Sequence, residues 1–151
     1  MTVGLTDADG RLLATAGTEE LERAVRRGDG LNPPPATDGY APTDRQQVFV
    51  HTRDRGCRMP NCGNRGGLAD HDHVIPHAQG GATSCTNLCC LCRSDHRLKT
   101  FAPRWRFRMD PAGALHVTSP TGVTRTTRPP GLRPPRPPGS PPDGADDPAP
   151  F

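Results

Sequence analysis

Aromatic side chains are scarce in this chain, at 4% of 151 residues with one Trp and one Tyr. Apolar residues of all kinds reach only 32%. A chain so poor in core formers cannot pack along its whole length, and a small core usually needs a staple of metal or disulfides. Long apolar runs are missing as well. The first 30 residues hold nothing more apolar than Leu12-Leu13-Ala14. Neither a signal peptide nor a membrane span is expected, which makes a reducing cytoplasm the expected setting and leaves no membrane partner. No small-molecule cofactor is expected, and nothing indicates an oligomeric state. Lysine is nearly absent, since 18 of the 19 basic residues are Arg, the side chain suited to bidentate phosphate contacts.

Proline and glycine are plentiful, together about a quarter of the chain, close to the range where disorder sets in. Six cysteines are present, and in a reducing compartment clustered cysteines favour metal over disulfide. The net charge of +3 hides a gradient: residues 1–44 are net −4, residues 45–108 net +7, and the remainder is balanced. The middle segment is the one suited to a polyanion.

Residues 2–6 and 11–15 read as two short strands joined by Asp7-Ala8-Asp9-Gly10. A short helix follows, with Thr18 as N-cap, Leu21, Ala24 and Val25 on one face, and Gly28 as its stop. This unit is too small to stand alone, so it must dock elsewhere or be the remnant of an upstream domain. Asn32-Pro33-Pro34-Pro35 is a stiff linker. A helix over about 44–55 is predicted from a Thr43/Gln46 capping box, with Val48, Phe49 and Thr52 on its packed side, Gly56 ending it, and Arg45, Arg53 and Arg55 facing solvent or nucleic acid. Then come a Cys57–Cys62 knuckle, a strand from Leu68 to His73, a polar loop, a strand from Asn87 to Cys92 and a helix over about 93–100. The alternating Arg104-Trp105-Arg106-Phe107-Arg108-Met109 predicts a strand with an apolar and an Arg face. Turns at 110–113 and 119–122 make it a meander with Ala114–Thr118 and Val123–Thr127. Its Arg face could grip a phosphate backbone or serve solubility alone. Residues 129–151, with ten Pro, read as a disordered tail.

The segment from Cys57 to Lys99 carries the chemistry. Hydrolysis of a phosphodiester needs a water stripped of its proton and positive charge near the phosphoryl and leaving oxygens. A His near neutrality can do the first and a divalent cation the second. Asp72 and His73 adjoin at a strand end, where both can reach one cleft, and His96 at the start of the next helix closes the cation site from the other wall. Two protein ligands leave open positions, as a catalytic metal needs.

Asp72-His73-Val74-Ile75-Pro76, Gly80-Gly81, Asn87-Leu88 and Leu91-Cys92-x-x-Asp95-His96-x-x-Lys99 resemble the HNH endonucleases, of the ββα-metal fold. The Cys57–Cys62, Leu98–Phe101 and Thr118–Gly122 segments, and the first 43 residues, are similar to actinobacterial HNH proteins in which the nuclease follows a domain of unknown function. The resemblance implies an α+β fold: residues 1–43 the remnant of that upstream domain, 44–128 a nuclease domain with a zinc knuckle and C-terminal meander, 129–151 the tail. It implies His73 as general base, Asn87 as the residue ordering the loop that holds His73, and Asp72 and His96 as ligands of a catalytic divalent cation such as magnesium. It also implies DNA as partner, with Arg93, Arg97 and Lys99 on its phosphates, and a structural zinc held by Cys57, Cys62, Cys92 and position 95. Position 95 is Asp where Cys or His is usual, so Asp95 is the fourth ligand or Cys90, on the same side of the strand as Cys92, replaces it. His71 is a more distant option. Cys85, Cys89 and Cys90 otherwise read as small buried residues, and His51, His77 and His116 as ordinary histidines.

Two other functions compete with a DNA endonuclease. One is a non-catalytic, zinc-stapled nucleic-acid-binding module from a truncated or decayed gene. The other is a thiol redox or metal-buffering protein, suggested by Cys89-Cys90-x-Cys92.

Overall fold

A computed structural model describes residues 1–64 and 69–131. The expected strand start at Leu68 and the Pro-rich tail beyond residue 131 lie outside the described residues. Strands β1 (Thr2–Thr6) and β2 (Leu12–Gly17) form an antiparallel hairpin. Its turn is tied by Asp7, whose Oδ1 accepts from the amides of Asp9 at 3.1 Å and Arg11 at 2.8 Å. Helix α1 (Thr18–Arg27) follows at once. Its N-cap is Gly17 and not Thr18, which lies inside the first turn and caps nothing. Only Ala24 of the expected face is buried, and Val25 is 73% exposed. Gly28 ends the helix in the left-handed conformation (φ 70°), its amide and that of Asp29 closing on Val25 and Ala24 carbonyls.

Helix α2 (Asp44–Asp54) begins with the complete capping box: Thr43 Oγ1 accepts from the Gln46 amide and Gln46 Oε1 from the Thr43 amide. Gln46 is fully buried, and its Nε2 also donates to the carbonyls of Pro35 (2.8 Å) and Thr83 (2.9 Å). The packed stripe is Gln46, Phe49, Val50, Arg53 and Asp54. The predicted Val48–Phe49–Thr52 side therefore needs correction. The helix is wedged between β2 and the later strand Leu88–Cys92, which draws in positions three and four apart from Gln46, and Val48 is left outside. It ends one residue before the expected Gly56, at Arg55, which takes the left-handed cap (φ 54°).

Strands β3 (Ala69–His73) and β4 (Leu88–Cys92) pair antiparallel, with His73 opposite Leu88 and Asp72 opposite Cys89, and helix α3 (Arg93–Phe101) follows β4 directly. The meander is β5 (Arg106–Met109), β6 (Leu115–Thr118) and β7 (Thr124–Thr127). β5 starts two residues late because Arg104 sits at φ 69°, outside strand geometry. Every residue of β4 is buried. One of its faces, Leu88 and Cys90, packs with Leu12, Phe49, Val50 and Cys85. The other, Cys89 and Leu91, packs with Val74, Leu115 and Val117, flanked by Trp105, Phe107 and Met109. A strand covered on both sides needs an unbroken apolar run, which Leu88-Cys89-Cys90-Leu91-Cys92 supplies. Cys85, Cys89 and Cys90 thus act as small core residues, and burial pushes the thiols of Cys85 and Cys90 up to about 11 and 12.

One polar cluster pins these layers together. Asp54, wholly buried, receives Arg53 Nε and Arg58 Nη1 on Oδ1, each at 2.7 Å, and the Cys90 amide on Oδ2 at 2.9 Å. Arg53 also donates to the carbonyls of Cys85 and Leu88, and Arg58 to those of Gly113 and Thr127. Arg53 is therefore structural, not the solvent- or nucleic-acid-facing residue expected of it. Its guanidinium satisfies the carbonyls of Cys85, in the loop before β4, and of Leu88, the first residue of that strand.

Candidate active site and metal cluster

The β3–β4 loop is shaped by two residues. Asn87 accepts the Ile75 amide on Oδ1 at 2.9 Å and donates from Nδ2 to the carbonyls of Ile75 (3.0 Å) and Ala82 (2.9 Å). Its own carbonyl accepts the Val74 amide at 2.7 Å. Gly81 lies against this bracket so closely that a Cβ there would sit 1.9 Å from the Ile75 oxygen. The chain leaving His73 is thereby held to a single path.

Asp72 points toward α3. Its Oδ1 is 3.5 Å from His96 Nε2, and its Oδ2 is 2.9 Å from Lys99 Nζ. That buried Oδ2 makes no hydrogen bond of good geometry, only the ion pair. Asp70 Oδ2 lies 3.8 Å from the other ring nitrogen of His96. Ligand atoms 3.5 Å apart match the spacing on a tetrahedral ion with bonds of about 2.1 Å and stand about 0.5 Å wider than neighbouring ligands of an octahedral one, so Asp72 and His96 lie near the separation at which two side chains share a divalent cation. Lys99 also donates to the His73 carbonyl at 2.7 Å. Its ammonium is engaged inside the site, whereas Arg93 and Arg97 on the same helix are exposed.

His73 is only 5% exposed. Its Nε2 lies 2.8 Å from Thr83 Oγ1, which in turn can donate to the Tyr40 carbonyl at 3.4 Å. No hydrogen bond is made at Nδ1 among the described residues. The Tyr40 ring, itself 71% exposed, stacks on the imidazole at 5.4 Å, and His77 meets both rings edge-on. Burial is the main influence on His73 and lowers its pKa, which the Asp72 charge only partly offsets. The ring is therefore neutral near pH 7. Tyr40, Asp72, His73, His77, His96 and Lys99 line one cleft of about 980 Å³ that continues to Arg106, Arg108 and the meander.

Thr83 and Tyr40 escape sequence reasoning. Thr83 reaches His73 only through the loop and reaches residues 37–46 through an isolated bridge to Thr37, so no local spacing marks it. Tyr40 offers one signal, as the chain's single tyrosine. His77, read as an ordinary histidine, packs against the site.

The second cluster lies at the other end of β4. The ligand atoms of Cys57, Cys62, Cys92 and Asp95 all fall within 4.8 Å of one another. Asp95 Oδ2 is 3.1 Å from Cys57 Sγ and 3.0 Å from Cys92 Sγ, and the Cys62 and Cys92 sulfurs are 4.0 Å apart. Tetrahedral zinc with Zn–S bonds of about 2.3 Å spaces sulfurs by a similar amount. Asn61 makes the knuckle turn in the left-handed conformation (φ 66°). At Asp95 burial opposes the charge, but the three thiols outweigh it and hold the carboxyl below its usual range. The group can hold a metal ion. Cys90 takes no part, being buried beside Phe49 and Leu88 on the hydrophobic side of β4, and the ring of His71 bonds the Gln47 carbonyl instead.

Residues 57–101, the knuckle through α3, match the family described as HNH endonuclease. This chain carries an HNH domain. Relatives include the uncharacterized protein Rv3776 of Mycobacterium tuberculosis, 39% identical over 113 residues that cover 75% of this chain and 21% of that protein. The uncharacterized protein Rv2100 of the same organism is 41% identical over 90 residues, 60% of this chain and 16% of its own length. The matched part of the chain thus spans about a fifth of the first of these relatives and about a sixth of the second. No solved structure matches it. HNH nucleases act on nucleic acids, and among the described residues no helix is long and apolar enough to cross a membrane.

Proposed function

We propose that the HNH domain is a metal-dependent endonuclease that hydrolyses DNA phosphodiester bonds. The observation that carries this reading is the convergence of Asp72 and His96 to 3.5 Å beside the imidazole of His73, whose Nε2 faces Thr83 and whose Nδ1 makes no hydrogen bond among the described residues. When bound by Asp72 and His96, a divalent cation such as magnesium supplies positive charge to the phosphoryl and leaving oxygens. His73 takes the proton of the attacking water at Nδ1, the nitrogen that Thr83 leaves free. Asn87 and Gly81 hold the loop that aims His73. Lys99 neutralises Asp72 and fixes the His73 carbonyl, and the exposed Arg93 and Arg97 meet flanking phosphates. Zinc in the Cys57/Cys62/Cys92/Asp95 site ties the knuckle to α3. Six unpaired cysteines suit a reducing, cytoplasmic setting.

The test is plasmid nicking with magnesium or manganese, wild type against His73→Ala. Loss of cleavage with an unchanged melting curve is expected, and equal cleavage by the variant refutes the role of His73. One observation favours a second reading, a zinc-stapled nucleic-acid-binding module without turnover: the imidazole lies nearly buried beneath Tyr40. Salt-dependent DNA binding with no cleavage under any divalent cation selects that alternative.

A further inference from the structure

The open face of the meander is left over by the site as described. The register sets Arg106 beside Thr118 and Thr124, and Arg108 beside His116 and Thr126, on one face. The opposite face carries Phe107, Val117, Met109 and Leu115 and packs against the core. Both arginines are exposed, and neither forms an ion pair or a hydrogen bond among the described residues. The nearest acid along the strand, Asp110, is engaged by the Ala114 amide at 2.8 Å and faces His116 at 3.5 Å. Solubility alone would explain two arginines anywhere on the surface. These two line the cleft that also holds Asp72, His73 and His96.

We infer that the Arg106/Arg108 face of β5 is a track for the backbone of duplex DNA, gripping phosphates of the strand whose scissile bond lies at Asp72 and His96. The inference rests on the nuclease reading. Residues two apart on a strand are separated by about 6.8 Å, close to the spacing of consecutive phosphates along one strand of about 7 Å, once the winding of the backbone is added to its axial rise of about 3.4 Å. Each guanidinium can therefore meet a separate phosphate without bending the sheet. Thr118 and Thr124, whose hydroxyls bond each other at 2.8 Å, leave one hydroxyl hydrogen to donate beside Arg106. The meander contributes charge and no base-reading edge, so the track positions DNA without selecting sequence.

The test is the salt dependence of binding to a fluorescent 20-base-pair duplex, without divalent cation so that nothing is cut. The wild type is compared with Arg106→Gln/Arg108→Gln and with Arg125→Gln, which removes a charge in register with Val117 instead of the open face. Each lost phosphate contact lowers the log–log slope by about 0.9 on duplex and about 0.7 on single strands. The double variant should lose about 1.8 on duplex and bind roughly 30-fold more weakly at 0.15 M salt, two such slopes referred to 1 M. Its melting curve should stay unchanged, and Arg125→Gln should keep the wild-type slope. An unchanged slope in the double variant, or an equal drop in Arg125→Gln, overturns the track and leaves the nuclease reading standing. Arg-dependent binding by a wild type that never cleaves keeps the track and overturns the nuclease. A wild type that does not bind the duplex overturns the track, and one that also fails to nick plasmid with magnesium or manganese overturns both.

Discussion

Replacing Gly81 by Ala tests how closely the loop controls the site. At a glycine with room to spare, the change usually stabilises by about 0.4–1 kcal/mol through the unfolded chain. Here the new Cβ would lie 1.9 Å from the Ile75 oxygen, 2.7 Å from its carbon and 2.8 Å from Asn87 Nδ2. All three must retreat, the oxygen by at least about 1 Å to reach a tolerable van der Waals contact. The hydrogen bonds at risk are the two between Asn87 and Ile75 and the one from the Gly81 amide to the Pro76 carbonyl. At about 1 kcal/mol each they amount to roughly 3 kcal/mol, or a melting temperature lower by roughly 10 °C for a domain of this size. Ile75 is two residues from His73, and a displacement of about 1 Å near the reacting groups costs on the order of 100-fold in rate. Thermal melting and single-turnover plasmid nicking read the two effects. Asn87→Ala is the companion variant, since it removes the same side-chain bonds without a clash. The double variant should lose less than the two singles summed, because the Nδ2 clash is gone, while the Ile75 oxygen still collides. If Gly81→Ala melts within about 2 °C of wild type and nicks at the same rate, the loop does not set the geometry of His73.

Three further outcomes follow from the site. Asp95→Cys should slow zinc release to a chelator, since thiolate replaces oxygen at an otherwise thiolate site; absence of zinc from both wild type and Asp95→Cys defeats the assignment. Because burial lowers the pKa of His73, cleavage should persist as pH falls below the ordinary imidazole value of about 6.5. The stability this group contributes is full above that unfolded value and lost as pH falls through the lower folded one; an acid limb of cleavage centred above pH 6.5 contradicts this. Thr83→Val should slow cleavage roughly tenfold, the worth of one hydrogen bond of about 1.4 kcal/mol, with Thr83→Ser restoring it. Imidazole nitrogen shifts that place the neutral His73 proton on Nδ1 would refute the positioning role of Thr83.

Much of the fold was legible because its signals are local. The Thr43/Gln46 capping box and the strict alternation of Arg104–Met109 each draw on neighbours within a few residues, and both elements stand within two residues of expectation. The knuckle and the Cys92–Asp95 spacing likewise bring four ligand atoms together. What sequence reasoning misread is set by partners far away. Arg53 resembles any surface arginine of an amphipathic helix until the carbonyls of Cys85 and Leu88, more than 30 residues on, arrive beside it. Val48 and Val50 are equally apolar, and only the docking of β2 and β4 decides between them. Thr83 and Tyr40 join the site through a contact spanning 43 residues.

The buried carboxylate of Asp54 has a practical corollary for anyone dissecting the protein. It sits outside the 57–101 segment that defines the family match, yet it clasps the amide of Cys90 within that segment. Arg58, which it anchors, reaches forward to Gly113 and Thr127. Excising the motif by itself would strand one guanidinium and bare both sides of β4, so a unit for grafting or crystallisation must also keep the β1–β2 hairpin, whose Leu12 packs on that strand, together with α2 and the meander through Thr127.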